Sequence, residues 1–407
     1  MTFMKLLDKE IASIGVGTRA VWGGENQTHP YNATQVPIAC SVAYGYDDLD
    51  EWHQIALGEQ PGYIYTRNAN PTVSVFEEKV RVLEGADAAL ALASGMGAIA
   101  NSLYTFLRPG DRVVSVKDTY GGATSLFLND IPQMGIDVTL CDTDDYQQIE
   151  AEVAKGCDVL YLETPTNPTM KIIDISRLAK AGKATGAIVI VDNTFSTPIL
   201  QNPLALGVDL VLHSATKFLG GHADAMGGVV CGSKELIKKV RHYRDIHGAT
   251  LDAFSAYLLI RGMKTLKLRV EKQSSNALAL AQYLQKHSLL EVVNYPGLPT
   301  HKNHDIAKKQ MRAFGAVLSF ALKGDIDAAK IMLPRLRIAH RAANLGAVET
   351  ICGLARTTSH VECTPEERKA MGIPEGLVRV SVGIEDIEDI IADFEQALNF
   401  LEAKKVL

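Results

Sequence analysis

Cysteine is sparse and scattered in this chain. The six cysteines, at 40, 141, 157, 231, 352 and 363, include no C-x-x-C pair. That spacing gives neither a zinc-ribbon pattern nor a disulfide framework, so reduced thiols, no metal site and a cytosolic enzyme are expected. Polybasic runs are absent and the net charge is −6, which excludes the basic face that nucleic acid calls for. No apolar stretch reaches the length of a membrane span. The first residues, Met1-Thr-Phe-Met-Lys-Leu-Leu-Asp-Lys-Glu, lack a signal-peptide core, so a cytoplasmic location is expected. Internal repeats and low-complexity linkers are missing too. The 407 residues exceed one ordinary domain and suit two.

What is present centres on one stretch. Asp209–Gly221 reads Asp-Leu-Val-Leu-His-Ser-Ala-Thr-Lys-Phe-Leu-Gly-Gly. Leu210, Val211 and Leu212 suit a buried strand, and Lys217 follows among the hydroxyls of Ser214 and Thr216. Burial disfavours an ammonium, and a neutral amine attacks aldehydes. The hydroxyls would hold a phosphate beside it. These features point to a lysine that carries pyridoxal 5′-phosphate. The alternative is a lysine reaching from a strand end to solvent.

A second stretch, Ala-Ile-Val-Ile-Val-Asp-Asn at 187–193, runs a buried parallel strand into Asp192. Pyridoxal phosphate needs a carboxylate on its ring nitrogen, because the protonated ring is the electron sink. Asp192 precedes Lys217 by 25 positions (217 − 192), room for one crossover and a further strand. The alternative for Asp192 is a turn cap.

With these residues the chain resembles the γ-family of pyridoxal-phosphate enzymes of cysteine and methionine metabolism. That family includes cystathionine γ-lyase, cystathionine γ-synthase, methionine γ-lyase and O-acetylhomoserine sulfhydrylase. The resemblance rests on Val-Asp-Asn-Thr-Phe around Asp192 and Ser-Ala-Thr-Lys-Phe-Leu-Gly-Gly-His around Lys217, and runs from about Gly17 to the C-terminal helix. It implies an α/β fold of the fold type I transferase kind. A mostly parallel seven-stranded sheet would carry helices on both faces, with a smaller α/β C-terminal domain. The expected division is an arm at 1–62, a cofactor-binding domain at 63–260 and a C-terminal domain at 261–407. The arm would reach a neighbouring subunit, in a homotetramer built as a dimer of dimers.

The pattern along the chain agrees. Asp47–Leu57 is helix-capable, and apolar residues at 73, 75, 76, 80 and 83 predict a helix over Pro71–Glu84. Strands are expected at Ala88–Leu92, Asp111–Val116, Val159–Glu163, Ala316–Leu322 and Leu377–Val382. One long helix is expected from Leu258 through Leu284, and a last one over Glu385–Lys404. The alternation of strands and helices across 86–232 predicts ligands at the C-terminal strand ends.

The resemblance also assigns roles. Tyr65 and Arg67, two apart in an extended segment, match residues that grip the cofactor phosphate of the adjacent subunit; alone they read as an exposed loop pair. Gly95 and Met96, in Ser-Gly-Met-Gly at a helix start, match the phosphate-binding turn. Tyr120 matches the aromatic that stacks on the cofactor ring and takes a proton from the incoming amine. Asn167 matches the hydrogen-bonding partner of the ring 3′-hydroxyl, with Glu163 nearby. Arg379 matches the arginine that holds the substrate α-carboxylate; its alternative is a solvent-facing strand residue.

The expected reaction is γ-elimination from a homoserine- or homocysteine-type amino acid. The leaving group would be sulfur- or oxygen-linked, including a polar tail such as that of canavanine. The alternative is γ-replacement by a synthase or sulfhydrylase of trans-sulfuration. Four departures bear on substrate. Gly122 stands where methionine γ-lyases carry cysteine. Arg244-Asp245 matches their Lys-Asp only in charge. Ala343 stands where cystathionine γ-lyases carry glutamate, with Asn344 in place of a serine. Arg356-Thr-Thr-Ser-His360 replaces a more apolar stretch. Asn344 and Arg356 are therefore expected as substrate-facing donors at the cleft mouth. Methionine and cystathionine are expected to be poor substrates.

Overall fold

The computed structural model describes residue 10 and residues 13–25, 29–361 and 363–404. Within these, Val16–Trp22 is helical. Seven strands build the larger sheet: β1 (Ala88–Leu92), β2 (Arg112–Val116), β3 (Asp137–Cys141), β4 (Val159–Glu163), β5 (Ile188–Asp192), β6 (Leu210–Ser214) and β7 (Gly228–Gly232). Their order is β1-β7-β6-β5-β4-β2-β3. β2 to β6 pair in parallel, and β7 runs antiparallel to both of its neighbours. Alternation along β4 explains the layers. Val159 and Tyr161 join one core with Leu90, Val113, Ile190 and Leu212, while Leu160 and Leu162 join another with Val114, Val189 and Val211. A sheet apolar on both faces must be covered on both, and helices do so.

Local chemistry sets the ends. Asn70 caps the Pro71–Glu84 helix by accepting from Thr72 N at 2.9 Å, Pro71 sits at its first position, and Gly85 closes it with φ 71°. A second sheet contains β8 (Leu290–Asn294), β9 (Val317–Leu322), β10 (His340–Arg341), β11 (Ile351–Leu354) and β12 (Val378–Ser381), ordered β10-β11-β12-β9-β8. It has its own core, including Leu318, Phe320, Val380 and Phe394. The last helix spans Ile387–Ala403.

One expected element differs. The long connection is two helices, Ala253–Met263 and Leu266–Gln285. The carbonyl of Gly262 accepts from Thr265 N at 3.2 Å and from the Arg269 guanidinium at 2.9 Å. A tight turn therefore replaces the continuing helix. Arg269 also donates to the carbonyls of Phe218 at 3.0 Å and Leu219 at 3.3 Å. The break thus clamps the turn that carries Lys217. Among the described residues no helix is long and apolar enough to cross a membrane.

Candidate active site

The turn after β6 presents Lys217. Thr216 N donates to Gly227 O, Thr216 Oγ accepts from Gly227 N at 3.0 Å, and Lys217 N donates to Ser214 O at 3.1 Å. Gly346, at φ 78°, packs against Lys217 from behind; a Cβ there would stand 2.6 Å from Phe218 N. The Lys217 amine donates to Asn344 Oδ1 at 2.8 Å. Burial first, and the Arg379 charge second, lower its pKa to about 8.

Lys217 faces a cleft of about 360 Å³ at the C-terminal strand ends, the size range of small-molecule sites. Ser94, Gly95, Met96, Tyr120, Asn167, Asp192, Ser214, Thr216 and Arg379 share its walls. On one side the Gly95–Phe106 helix begins. Ser94 Oγ accepts from Gly97 N at 3.0 Å. A Cβ at Gly95 would stand 2.7 Å from Ser214 Oγ, so only glycine lets that helix end meet Ser214.

Asp192 ends β5 beside Glu163 at the end of β4, in register. Asp192 accepts from Thr194 N at 2.9 Å, and Glu163 accepts from Tyr120 N at 2.8 Å. Two buried carboxylates side by side do not both ionise readily. Burial, then the Asp192 charge, push Glu163 well up. Burial raises Asp192 as well, but the Thr194 hydrogen bonds and the His213 charge oppose that rise, so the proton is held more firmly on Glu163.

Arg379 comes from β12 and is only 5% exposed. Its guanidinium donates to Asn167 Oδ1 at 3.1 Å and to the Asn344 carbonyl at 3.0 Å. Burial lowers its pKa to about 10. Among the described residues it makes no ion pair with a carboxylate, so a buried cation faces the cleft ready for one.

Thr358 and Ser359 complete the wall. Thr358 Oγ donates to Leu354 O at 2.8 Å. Ser359 Oγ lies 3.0 Å from His360 Nδ1, and His360 Nε2 lies 3.0 Å from Thr119 O. Burial pushes His360 down to about 4, so its ring is neutral.

The residues present fit pyridoxal phosphate: an amine of lowered basicity, an aspartate at a strand end, a helix N-terminus shaped by Gly95, and a cleft of matching size. The chain matches the model of the Cys/Met metabolism PLP-dependent enzyme family over residues 17–399. It belongs to that family. Family members use pyridoxal phosphate, and the chain is accordingly an enzyme of the lyase and transferase type. It is 43% identical over 392 residues to an L-methionine gamma-lyase of Fusobacterium nucleatum subsp. polymorphum, covering 96% of this chain and 99% of that one. It is 38% identical to an O-succinylhomoserine sulfhydrylase of Pseudomonas aeruginosa, covering 96% and 97%. The solved cystathionine gamma synthase of Xanthomonas oryzae pv. oryzae superposes with a TM-score of 0.91 at 36% identity, covering 96% and 99%. This family of γ-lyases and γ-replacement enzymes is the one the Asp192 and Lys217 stretches resemble.

The cleft does not gather every expected residue. Tyr65 and Arg67 are exposed, with the Arg67 guanidinium 5.4 Å from the Tyr65 ring centre, and neither lines the cleft of its own chain. Buried Arg244 braces their segment, donating to Asn68 O at 2.7 Å and Arg67 O at 3.4 Å. Arg356 also stays outside: its guanidinium pairs with Glu375 at 3.0 Å, and Glu375 also holds Arg368 at 2.6 Å. Asn344 does not line the cleft; its side-chain oxygen accepts from Lys217. Thr194, Phe195, Ser94 and Met226 line the cleft without having been expected there. Thr194 follows Asp192 by two, a signal that local spacing offered. Arg269 gave none, because its clamp spans about fifty residues of sequence.

Proposed function

We propose that this protein is a pyridoxal-phosphate γ-lyase that expels the γ-substituent of a homoserine- or homocysteine-type amino acid. The observation that carries the proposal is the Lys217 amine, of lowered basicity, in one cleft with Asp192 and the unpaired cation of Arg379. Bound pyridoxal phosphate supplies an electron sink for carbanion chemistry. Lys217 would hold the cofactor through its amine and, when free, would move protons among the substrate carbons as general acid and base. Asp192 keeps the ring nitrogen protonated. Ser214, Thr216 and the N–H groups of Gly95 and Met96 hold the phosphate. Asn167 meets the ring hydroxyl, Tyr120 covers the ring and takes a proton from the incoming amine, and Arg379 fixes the α-carboxylate. Elimination releases the γ-substituent with a proton; hydrolysis then yields 2-oxobutanoate and ammonia.

The exposed Tyr65 and Arg67 serve the cleft of a neighbouring subunit in this proposal. The working assembly is then at least a dimer, proposed as a dimer of dimers in the cytoplasm. Residues 1–62 form the contacting arm, 63–260 the cofactor unit and 261–407 the C-terminal unit. Methionine enters the list of candidate substrates through the relatives named for it. The sulfhydrylase and synthase relatives support a second reading, γ-replacement.

Assaying 2-oxo acid release from a panel of γ-substituted amino acids, with and without added thiol, separates elimination from replacement. The purified protein should be yellow, and Lys217→Ala should lose the covalent cofactor. Undiminished turnover and an unchanged spectrum in that variant would overturn the assignment.

A further inference from the structure

The hydroxyls on the cleft wall have fixed polarity. Leu354 O is a carbonyl and only accepts, so Thr358 Oγ spends its hydrogen there, at 2.8 Å. Thr119 O likewise only accepts, so His360 Nε2, at 3.0 Å, must carry the ring hydrogen. His360 is fully buried between Arg368 and Arg379 and is neutral. Its Nδ1 is therefore a bare lone pair, and Ser359 Oγ, 3.0 Å away, must donate to it. Both hydroxyl oxygens consequently have lone pairs left and no hydrogen to offer. Both residues line the cleft that holds Lys217 and Arg379.

Arg356 and Asn344, the donors expected at this wall, do not line the cleft. Arg356 is tied to Glu375 at 3.0 Å. Arg379 faces Asn167 and Asn344 and is the anchor for the α-carboxylate. Ala343, on the same wall, adds no polar side chain. A substrate tail that only accepts hydrogen bonds finds no donor in these two hydroxyls and leaves their lone pairs unpaired. A tail that donates satisfies both sides.

We propose that Thr358 and Ser359 select γ-substituents carrying an N–H donor, such as an amide or guanidino group. The selection rests on the γ-elimination proposed above and names its substrate class. It also reverses the expectation of a donor-rich cleft mouth, since Arg356 is tied to Glu375 and neither Arg356 nor Asn344 lines the cleft.

The test uses the holoenzyme and two compounds that differ at one group: S-(carbamoylmethyl)-L-homocysteine, ending in an amide NH2, and S-acetonyl-L-homocysteine, ending in CH3. The leaving sulfur is the same kind in both. The expected kcat/KM for 2-oxo acid release favours the amide by on the order of tenfold. Thr358→Val keeps the side-chain shape and removes the oxygen, so the amide-to-ketone ratio should fall; Thr358→Ser should retain it. Ser359→Ala supplies an independent variant should Thr358→Val fail to fold. Calorimetric Kd values for both compounds on cofactor-loaded Lys217→Ala protein, which does not turn them over, give the same ratio without chemistry. A ratio at or below one, or one unmoved by both variants, overturns the selection. If neither compound, nor methionine, nor O-acetylhomoserine releases 2-oxo acid, the γ-elimination proposal falls instead. The calorimetric ratio then decides the donor selection by itself.

Discussion

The amine of Lys217 donates to the side-chain oxygen of Asn344 at 2.8 Å, joining residues 127 positions apart. Asn344 also lends its backbone carbonyl to Arg379 at 3.0 Å. One residue thus touches both the amine proposed to attach the cofactor and the guanidinium proposed to hold the substrate.

That contact makes a pH prediction. The Lys217 pKa sits at about 8, lowered by burial and then by Arg379. Only the neutral amine attacks an aldehyde, so attachment of pyridoxal phosphate to cofactor-stripped protein should quicken as pH rises through about 8 and level off above it. The Asn344 oxygen favours the charged form. Asn344→Ala should therefore move the rise to lower pH. Stopped-flow absorbance across the pH range measures both profiles; a midpoint that moves upward in the variant contradicts the assigned contact.

Glu163 should report its buried, neutral state through stability. An unfolded glutamate loses its proton near 4.5, while burial and Asp192 keep Glu163 protonated well above that. Above pH 4.5 the folded chain then holds a proton that the unfolded chain has released. The contribution of this group to stability accordingly falls as pH rises. Glu163→Gln has no proton to keep and can still accept from Tyr120 N. Its melting temperature should decline less between pH 5 and pH 8, a range of roughly three units over which the wild type pays a growing ionisation cost. Parallel thermal melts of both proteins decide it, and identical slopes would mean that Glu163 is ionised in the fold.

Subunit sharing is open to a mixing experiment. Arg67 is exposed and outside its own chain's cleft. Arg67→Ala and Lys217→Ala proteins should each be nearly inactive. Allowed to exchange subunits, they should recover about a quarter of wild-type activity, because half of the pairs are hybrid and each hybrid has one intact cleft. Demonstrated exchange without recovery would place Arg67 in the service of its own chain.

Methionine, whose tail has no donor, and cystathionine, whose distal ammonium comes with an acceptor-only carboxylate, should be poorer substrates than an amide- or guanidino-tailed amino acid. Ala343 lines the cleft where an acid would meet the distal ammonium of cystathionine. Ala343→Glu should raise kcat/KM for cystathionine by roughly tenfold, the scale of one charge-assisted hydrogen bond. For methionine the relevant position is Gly122. A Cβ there would stand 2.8 Å from both the Tyr120 ring and the Met96 sulfur, so a side chain requires the ring to shift. Steady-state rates on both substrates check these statements; better turnover of methionine than of every donor-tailed compound would count against them.

The sequence by itself determined the strands that carry chemistry. Ala88–Leu92 and Val159–Glu163 fall where their apolar runs end in polar residues, and the Pro71–Glu84 helix begins at its Asn-Pro cap and ends at its glycine. These signals are local: side-chain period, caps and glycine conformation act within a few residues. Asp192, Lys217, Tyr120 and Arg379 each sit in a short distinctive stretch and were singled out for that reason; the fold brings all four into one cleft. Only the tertiary structure decided what surrounds them. The break at Lys264–Thr265 depends on the Arg269 clamp on a turn fifty residues away. Arg356 leaves the cleft because Glu375 lies close enough to pair with it. The polarity of Ser359 follows from His360 meeting a carbonyl 241 residues distant. Hydrogen-bond direction and ion pairing are properties of atoms a few ångströms apart, and the order of residues along the chain does not state which atoms those are.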